Sequence, residues 1–112
     1  MYRKAVILTD LSRDSDALIG SMDRLRVLGV NVGVLTHVAD ALVNRSSRAA
    51  SAERDSKFQR QAEILESMGM TVHVDMTLGH PAVSLEEVSR RHNADLIVVG
   101  SHGSGLFGAV AP

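Results

Sequence analysis

The run Asp95-Leu-Ile-Val-Val-Gly-Ser-His-Gly-Ser-Gly105 constrains the fold more than any other segment of the chain. A short, uninterrupted apolar run bounded by a turn signal suits a strand buried on both faces, and such strands belong to parallel sheets. Glycines directly after the strand let backbone N–H groups come close to a ligand. If a helix follows, its first amides favour an anion. This corner is where a ligand would sit.

The rest of the chain supplies neighbours for that strand. Lys4 to Thr9 is a compact apolar run, a first strand ending at Asp10. Ser12 or Asp14 can cap a helix whose apolar positions Leu18, Met22, Leu25 and Leu28 recur at three- and four-residue spacing, with Gly29 in the left-handed cap position. Val30 to Val38 reads as a second strand. After a polar stretch from Asn44 to Lys57, the residues Phe58, Ala62, Leu65 and Met68 define a second amphipathic helix, closed by Gly69. Met70 to Leu78 alternates: Val72, Val74, Met76 and Leu78 share one face, and Thr71, His73, Asp75 and Thr77 share the other. That pattern predicts an edge strand with one wet face. Gly79-His80-Pro81 is a turn with Pro at a helix start, Val83, Leu85 and Val88 mark a third helix, and Asn93 can end it before the strand from Asp95.

Strands alternating with helices imply right-handed βαβ units: an α/β fold, an open parallel sheet with helices on both faces. The two most apolar strands, first and fourth, belong at the centre and the half-polar third at the edge, which gives the order 3-2-1-4. The winding direction reverses between strands one and four, and ligands bind at such a switch point beyond the carboxyl ends of the strands. Asp10 and the glycines Gly100 to Gly105 thus share one crevice.

Composition narrows the function classes. The chain has 112 residues, 45% of them apolar and 22% charged, which are globular values consistent with one domain spanning 1–112. A net charge of −1 gives no electrostatic case for nucleic acid or an anionic membrane. With no cysteine there is no disulfide framework and no thiolate zinc site. The N-terminal apolar run is too short for a signal peptide, and no segment approaches the roughly 20 apolar residues that span a bilayer. The expectation is a cytoplasmic protein. With no Trp and one Tyr, stacking on bases is an unfavoured mode of action.

Enzyme motifs are missing where they are required. A dinucleotide-binding Rossmann site needs Gly-x-Gly-x-x-Gly after strand one, and Thr9-Asp-Leu-Ser-Arg-Asp14 contains no glycine. No Gly-Lys-Ser/Thr phosphate loop occurs. A phosphoreceiver domain needs an aspartate ending strand three, where Leu78-Gly79 stands. Ser101-His102 are loop neighbours, not a nucleophile elbow. No catalytic constellation is found, so the chain is not read as an enzyme.

The segments Ile7-Leu-Thr-Asp-Leu-Ser12, Leu35-Thr-His-Val38, Gly79-His-Pro81 and Asp95-Leu-Ile-Val-Val-Gly-Ser-His-Gly103 resemble, in order and spacing, the universal stress protein family. The resemblance covers the whole chain and implies a Rossmann-like fold of the adenine-nucleotide alpha-hydrolase type. It implies ATP or AMP, with or without magnesium, bound between strands one and four, and a role as a stress-response sensor or regulator with at most weak ATPase activity. By resemblance Asp10 would lie beside the adenosine, although Leu8 stands where a proline is common. The backbone of Val38 would meet the adenine edge and Val99 would line its pocket. Gly100 and Gly103 would let the loop pass close to ribose and phosphate, with the amides of Gly103 and Ser104 donating to phosphate oxygens.

In nucleotide-binding members the motif is Gly-x2-Gly-x9-Gly followed by Ser or Thr. Here Gly100 and Gly103 supply its first half, and the nine residues Ser104 to Pro112 fill the spacer. The expectation is therefore a C-terminally incomplete domain with its fifth strand missing and strand four left as an open edge. The family commonly dimerises through that last strand, which implies a homodimer or pairing with another such domain. A nucleotide-independent assembly module of the same fold is the alternative.

Each candidate also has a plainer role. Asp10 can bind a nearby loop or helix N-terminus, and glycines can serve only to turn a corner. Ser104 needs no ligand in a loop. His37, His73, His80 and His102 read as structural or surface residues, and Arg45, Arg48, Arg54 and Arg60 as a solvated loop and helix face.

Overall fold

The computed structural model describes residues 2–39, 48–79, 81–100 and 107–110. In chain order the elements are β1 (Lys4–Leu8), α1 (Arg13–Gly20), α2 (Asp23–Val27), β2 (Val32–Ala39), α3 (Arg48–Ser67), β3 (Thr71–Leu78), α4 (Pro81–His92), β4 (Leu96–Gly100) and β5 (Phe107–Val110). The sheet order is β3-β2-β1-β4-β5. The first four strands are parallel, as the alternation of strands and helices requires, with Ile7 of β1 opposite Leu35 of β2 and Val98 of β4.

Side-chain alternation along the strands divides the core. Ala5, Ile7, Leu35, Leu96 and Val98 face α1, α2 and α3, which contribute Leu18, Ile19, Leu25, Phe58, Ala62 and Leu65. Val6 and Val34 face the other way and meet Val88 of α4. The crossover that carries the chain from one face to the other is β3–α4–β4, so the winding direction reverses between the paired strands β1 and β4. Asp95 joins these two strands at their amino ends, where its Oδ2 accepts from the backbone N–H groups of Arg3 and Lys4 at 2.8 and 3.1 Å.

Several local expectations hold for local reasons. Gly29 and Gly69 close their helices at φ +98° and +91°, and Asn93 follows α4 at φ +53°; glycine, and to a lesser degree asparagine, tolerates this left-handed region. Pro81 opens α4.

Four expectations need correction. The helix expected through Leu28 is two helices, interrupted at Ser21–Met22. Gly20 has no side chain to hold the turn together, and the Ser21 hydroxyl donates to the Leu18 carbonyl at 2.7 Å. Leu18, Met22 and Leu25 are still buried, but Leu28 is exposed. The second helix begins ten residues before Phe58, at Arg48. Its early turns, Arg48-Ala-Ala-Ser-Ala-Glu53, are good helix formers without apolar periodicity, so spacing alone does not reveal them. Val83 is 57% exposed on α4, and Ser84 and Ser89 are buried in its place beside Val88.

The fourth correction concerns the sheet edge. Strand four is not open: β5 pairs with it antiparallel, Val99 opposite Gly108 and Gly100 opposite Phe107. Only six residues separate β4 from β5, too few for the crossover a parallel return needs, so the direction of pairing follows from the length of the connection. β3 is the other edge, as expected. Both of its faces are wet, however: Val74 and Met76 are exposed on the apolar face as Thr71 and His73 are on the polar one, while Asp75 is half-buried under α4.

Candidate functional site

The crevice is built from the segment that follows β1. Thr9 extends the ladder by one bond, its N–H donating to the Thr36 carbonyl at 2.9 Å. Asp10 comes next and is exposed. Its Oδ1 accepts from the Ser12 N–H at 3.0 Å and from the Ser12 hydroxyl. Partial burial pushes this carboxyl upward, but the Ser12 hydroxyl and N–H, with a further contribution from Ser15, outweigh it and hold the group below the usual carboxylate range. Asp10 is therefore a fixed negative charge at neutral pH. Ser12 is also the N-cap of α1, its side chain accepting from the Ser15 N–H at 3.2 Å.

Between them Leu11 adopts φ +63°, an uncommon conformation for a residue with a branched side chain. Three contacts hold it there. Leu11 is buried, and its N–H donates to the Thr9 hydroxyl oxygen at 3.0 Å. That hydroxyl donates in turn to Oε1 of the fully buried Gln61 at 2.7 Å. Gln61 Nε2 donates to the Ser15 hydroxyl at 3.1 Å and to Asp16 Oδ1 at 2.8 Å, while Arg60 pairs with Asp16 Oδ2 at 2.6 Å. The loop is thus clamped from α3, one element away in space and about fifty residues away in sequence.

Sequence reasoning missed this clamp. Its signal was a glutamine three residues after Phe58 and four before Leu65, a polar residue on the apolar face of α3.

The other walls come from β2 and β4. Val38 lies near the end of β2, two residues beyond Thr36, the partner of the last β1 residue. Val99 is half-buried near the end of β4, and Gly100 ends that strand. Asp10, Val38, Val99 and Gly100 therefore all stand at the carboxyl ends of three adjacent strands. Gly103 and Ser104 lie outside the described residues, as do His80, His102 and Arg45. His37 is a structural residue: its Nδ1 lies 3.0 Å from the Thr9 carbonyl, and its ring meets Phe58 edge-on at 5.8 Å. Arg60 is largely exposed, as a solvated helix face implies, and is paired with Asp16.

Chemically, the crevice offers an ionised hydrogen-bond acceptor on one lip and strand-end backbone on the others. A carboxylate accepts from hydroxyl groups and repels phosphate, so Asp10 suits the sugar end of a ligand rather than its anionic end. Among the described residues, no group of three His, Cys, Asp or Glu side chains is placed to hold a metal ion. Among the same residues, no helix is long and apolar enough to cross a membrane.

The model of the universal stress protein family matches residues 1–111. No curated protein matches the sequence. Among solved structures, a universal stress protein in complex with cAMP superposes with a TM-score of 0.70 at 19% identity, covering 91% of this chain and 75% of that one. The hypothetical protein MJ0577 gives 0.76 at 23%, over 93% and 78% of the two chains. A universal stress protein from Archaeoglobus fulgidus gives 0.68 at 17%, over 91% and 78%.

Proposed function

The chain belongs to the universal stress protein family, and from that premise we propose that it binds an adenine nucleotide at the carboxyl ends of β1, β2 and β4 and acts in the cytoplasm as a stress-response sensor or regulator. The observation that carries this reading is the switch point itself. β1 and β4 are adjacent parallel strands whose connections run to opposite faces, with Asp10 following one and Gly100 ending the other. The cAMP bound to a structural relative supports adenine as the base.

In this reading Asp10, locked as a carboxylate, accepts from the ribose hydroxyls. The backbone of Val38 meets the adenine edge and Val99 gives its pocket an apolar wall. Gly100 permits close approach, and the amides of Gly103 and Ser104 donate to phosphate, with or without magnesium. No side chain is required to do covalent chemistry, so the ligand is a signal rather than a substrate. That Asp10 already binds Ser12 favours the second reading, a nucleotide-independent assembly module.

Calorimetric titration of ATP and of AMP into the chain, with magnesium present, separates the two. Saturable micromolar binding that Asp10→Ala weakens about tenfold is expected, the loss of one hydrogen bond to a charged acceptor. No heat from a folded sample would overturn the nucleotide reading.

A further inference from the structure

β3 ends the sheet with no strand on its outer side among the described residues. The Thr71 N–H donates inward to the Asn31 carbonyl at 2.9 Å, and Thr71 pairs with Val32. In a parallel ladder a residue bonded in this way turns both its N–H and its C=O toward the neighbouring strand, and the next residue turns both away. Val72, Val74 and Met76 therefore present their backbone groups to the open side. Their side chains lie on the α3 face, where Val72 packs on the core but Val74 and Met76 are 53% and 44% exposed. Strand edges left open are usually blunted by Lys, Pro or a bulge, and Thr71–Leu78 contains neither Lys nor Pro.

We propose that this edge is an interface with a second copy of the chain, the two β3 strands pairing antiparallel about a two-fold axis through Val74. Val74 then faces itself and Val72 faces the second copy's Met76, each pair exchanging N–H and C=O across the seam. Thr71 faces Thr77, and His73 faces the second copy's Asp75. An axis through His73 would set that ring against itself, and one through Asp75 would set two carboxylates directly opposite, which is destabilising. An axis through Val74 is the one that sets His73 and Asp75 opposite each other.

Charge supports the same register. Asp75 is 13% exposed at its side chain and already accepts from Arg91 Nη1 and His92 Nε2, both at 3.0 Å. His73 stacks on His92 with ring centres 6.2 Å apart, which keeps its ring on the α4 face, where the second copy's Asp75 arrives. On the α3 face the six side chains from the two copies of Val72, Val74 and Met76 form one apolar stripe. This isologous contact satisfies every pair with one sequence, which identifies the occupant as the chain itself. It leaves the crevice at the carboxyl ends of β1 and β4 untouched, so it stands or falls independently of nucleotide binding.

Sedimentation velocity on the full chain over a range of concentrations tests it, with Val74→Lys as the breaking variant. Val74 is exposed in one copy, so the substitution spares the fold while setting two ammonium groups against each other at the axis. The expected result is a concentration-dependent dimer that Val74→Lys weakens by at least about a hundredfold, with an unchanged circular dichroism spectrum. The chain has no cysteine, so Val74→Cys gives an independent readout. Facing Cα atoms in a hydrogen-bonded pair are about 5.5 Å apart, within disulfide reach. Mild oxidation is expected to link Val74→Cys into a covalent dimer and to leave Val27→Cys, an exposed site at the end of α2, without a cross-link. A strict monomer would overturn the proposal. So would a dimer that Val74→Lys leaves intact and Val74→Cys does not cross-link.

Discussion

On one face of the sheet α1, α2 and α3 bury Leu18, Ile19, Met22, Leu25, Phe58 and Leu65 against Ala5, Ile7, Leu35 and Val98. On the other, α4 sets Val88, with Leu85 packed beside it, against Val6 and Val34, a smaller apolar contact joined by polar ones. Ser84 and Ser89 are buried there, and Asp75 of β3 holds Arg91 and His92 at the far end of the helix. Apolar burial scales with area and needs no fixed geometry, whereas polar contacts are worth about 1 kcal/mol each and only when aligned. The α1–α3 face therefore carries most of the stability, and the α4 face supplies the position of β4. The element that creates the crevice by crossing the sheet is the less firmly bound one, which makes α4 the first helix expected to open in hydrogen exchange.

The largest effect expected is at Leu65, fully buried at the centre of the thicker face. Leu65→Ala should lower the unfolding free energy by about 3 kcal/mol in a urea titration. Gln61→Ala should lower it by about 2 kcal/mol, because it removes the acceptor of the buried Thr9 hydroxyl and the donor to Ser15 and Asp16 Oδ1, and with them the support of the Leu11 turn. Val88→Ala on the thinner face should lower it by about 1.5 kcal/mol, since fewer atoms surround the gap it leaves. A value equal to that of Leu65→Ala would break the contrast between the faces. Asp75→Asn should cost about 1 kcal/mol and speed exchange of α4 amides without altering those of α3.

The smallest effect is that of pH. Backbone N–H groups of Arg3 and Lys4 hold the Asp95 carboxyl below its ordinary value, and Ser12 does the same for Asp10 against the opposing effect of burial. A carboxyl depressed in the folded state binds fewer protons there than in the unfolded chain. Its stabilisation is therefore complete above the unfolded value, about 3.9, and is lost as the pH falls through the folded one. The melting temperature should drop below about pH 4, and Asp95→Asn should flatten that drop.

Much of this architecture was legible because its signals are local. Positive φ at Gly29 and Gly69 belongs to those residues, and the spacing of Phe58, Ala62 and Leu65 belongs to one helix. The order 3-2-1-4 followed from how apolar each strand is, and the placement of Asp10 and Gly100 at the ends of neighbouring strands followed from that order. Where propensity spoke without periodicity, as in Arg48-Ala-Ala-Ser-Ala-Glu53, the element was missed. The clamp at the crevice was missed for another reason. A buried glutamine on an apolar face announces that a polar partner exists, and nothing in the sequence says that the partners are Thr9, Ser15 and Asp16.

By itself the sequence determined the alternation of strands and helices, the parallel sheet with its order 3-2-1-4, the family, and the placement of Asp10 and Gly100 at the ends of neighbouring strands. All of these depend on residue types at short spacing. Only the tertiary structure decided that Val83 and Val74 are exposed while Ser84 and Gln61 are buried, that β5 returns antiparallel onto β4, and that Asp10 closes on Ser12. Each of these depends on which distant segment arrives beside a residue, and burial is a property of that encounter rather than of the residue.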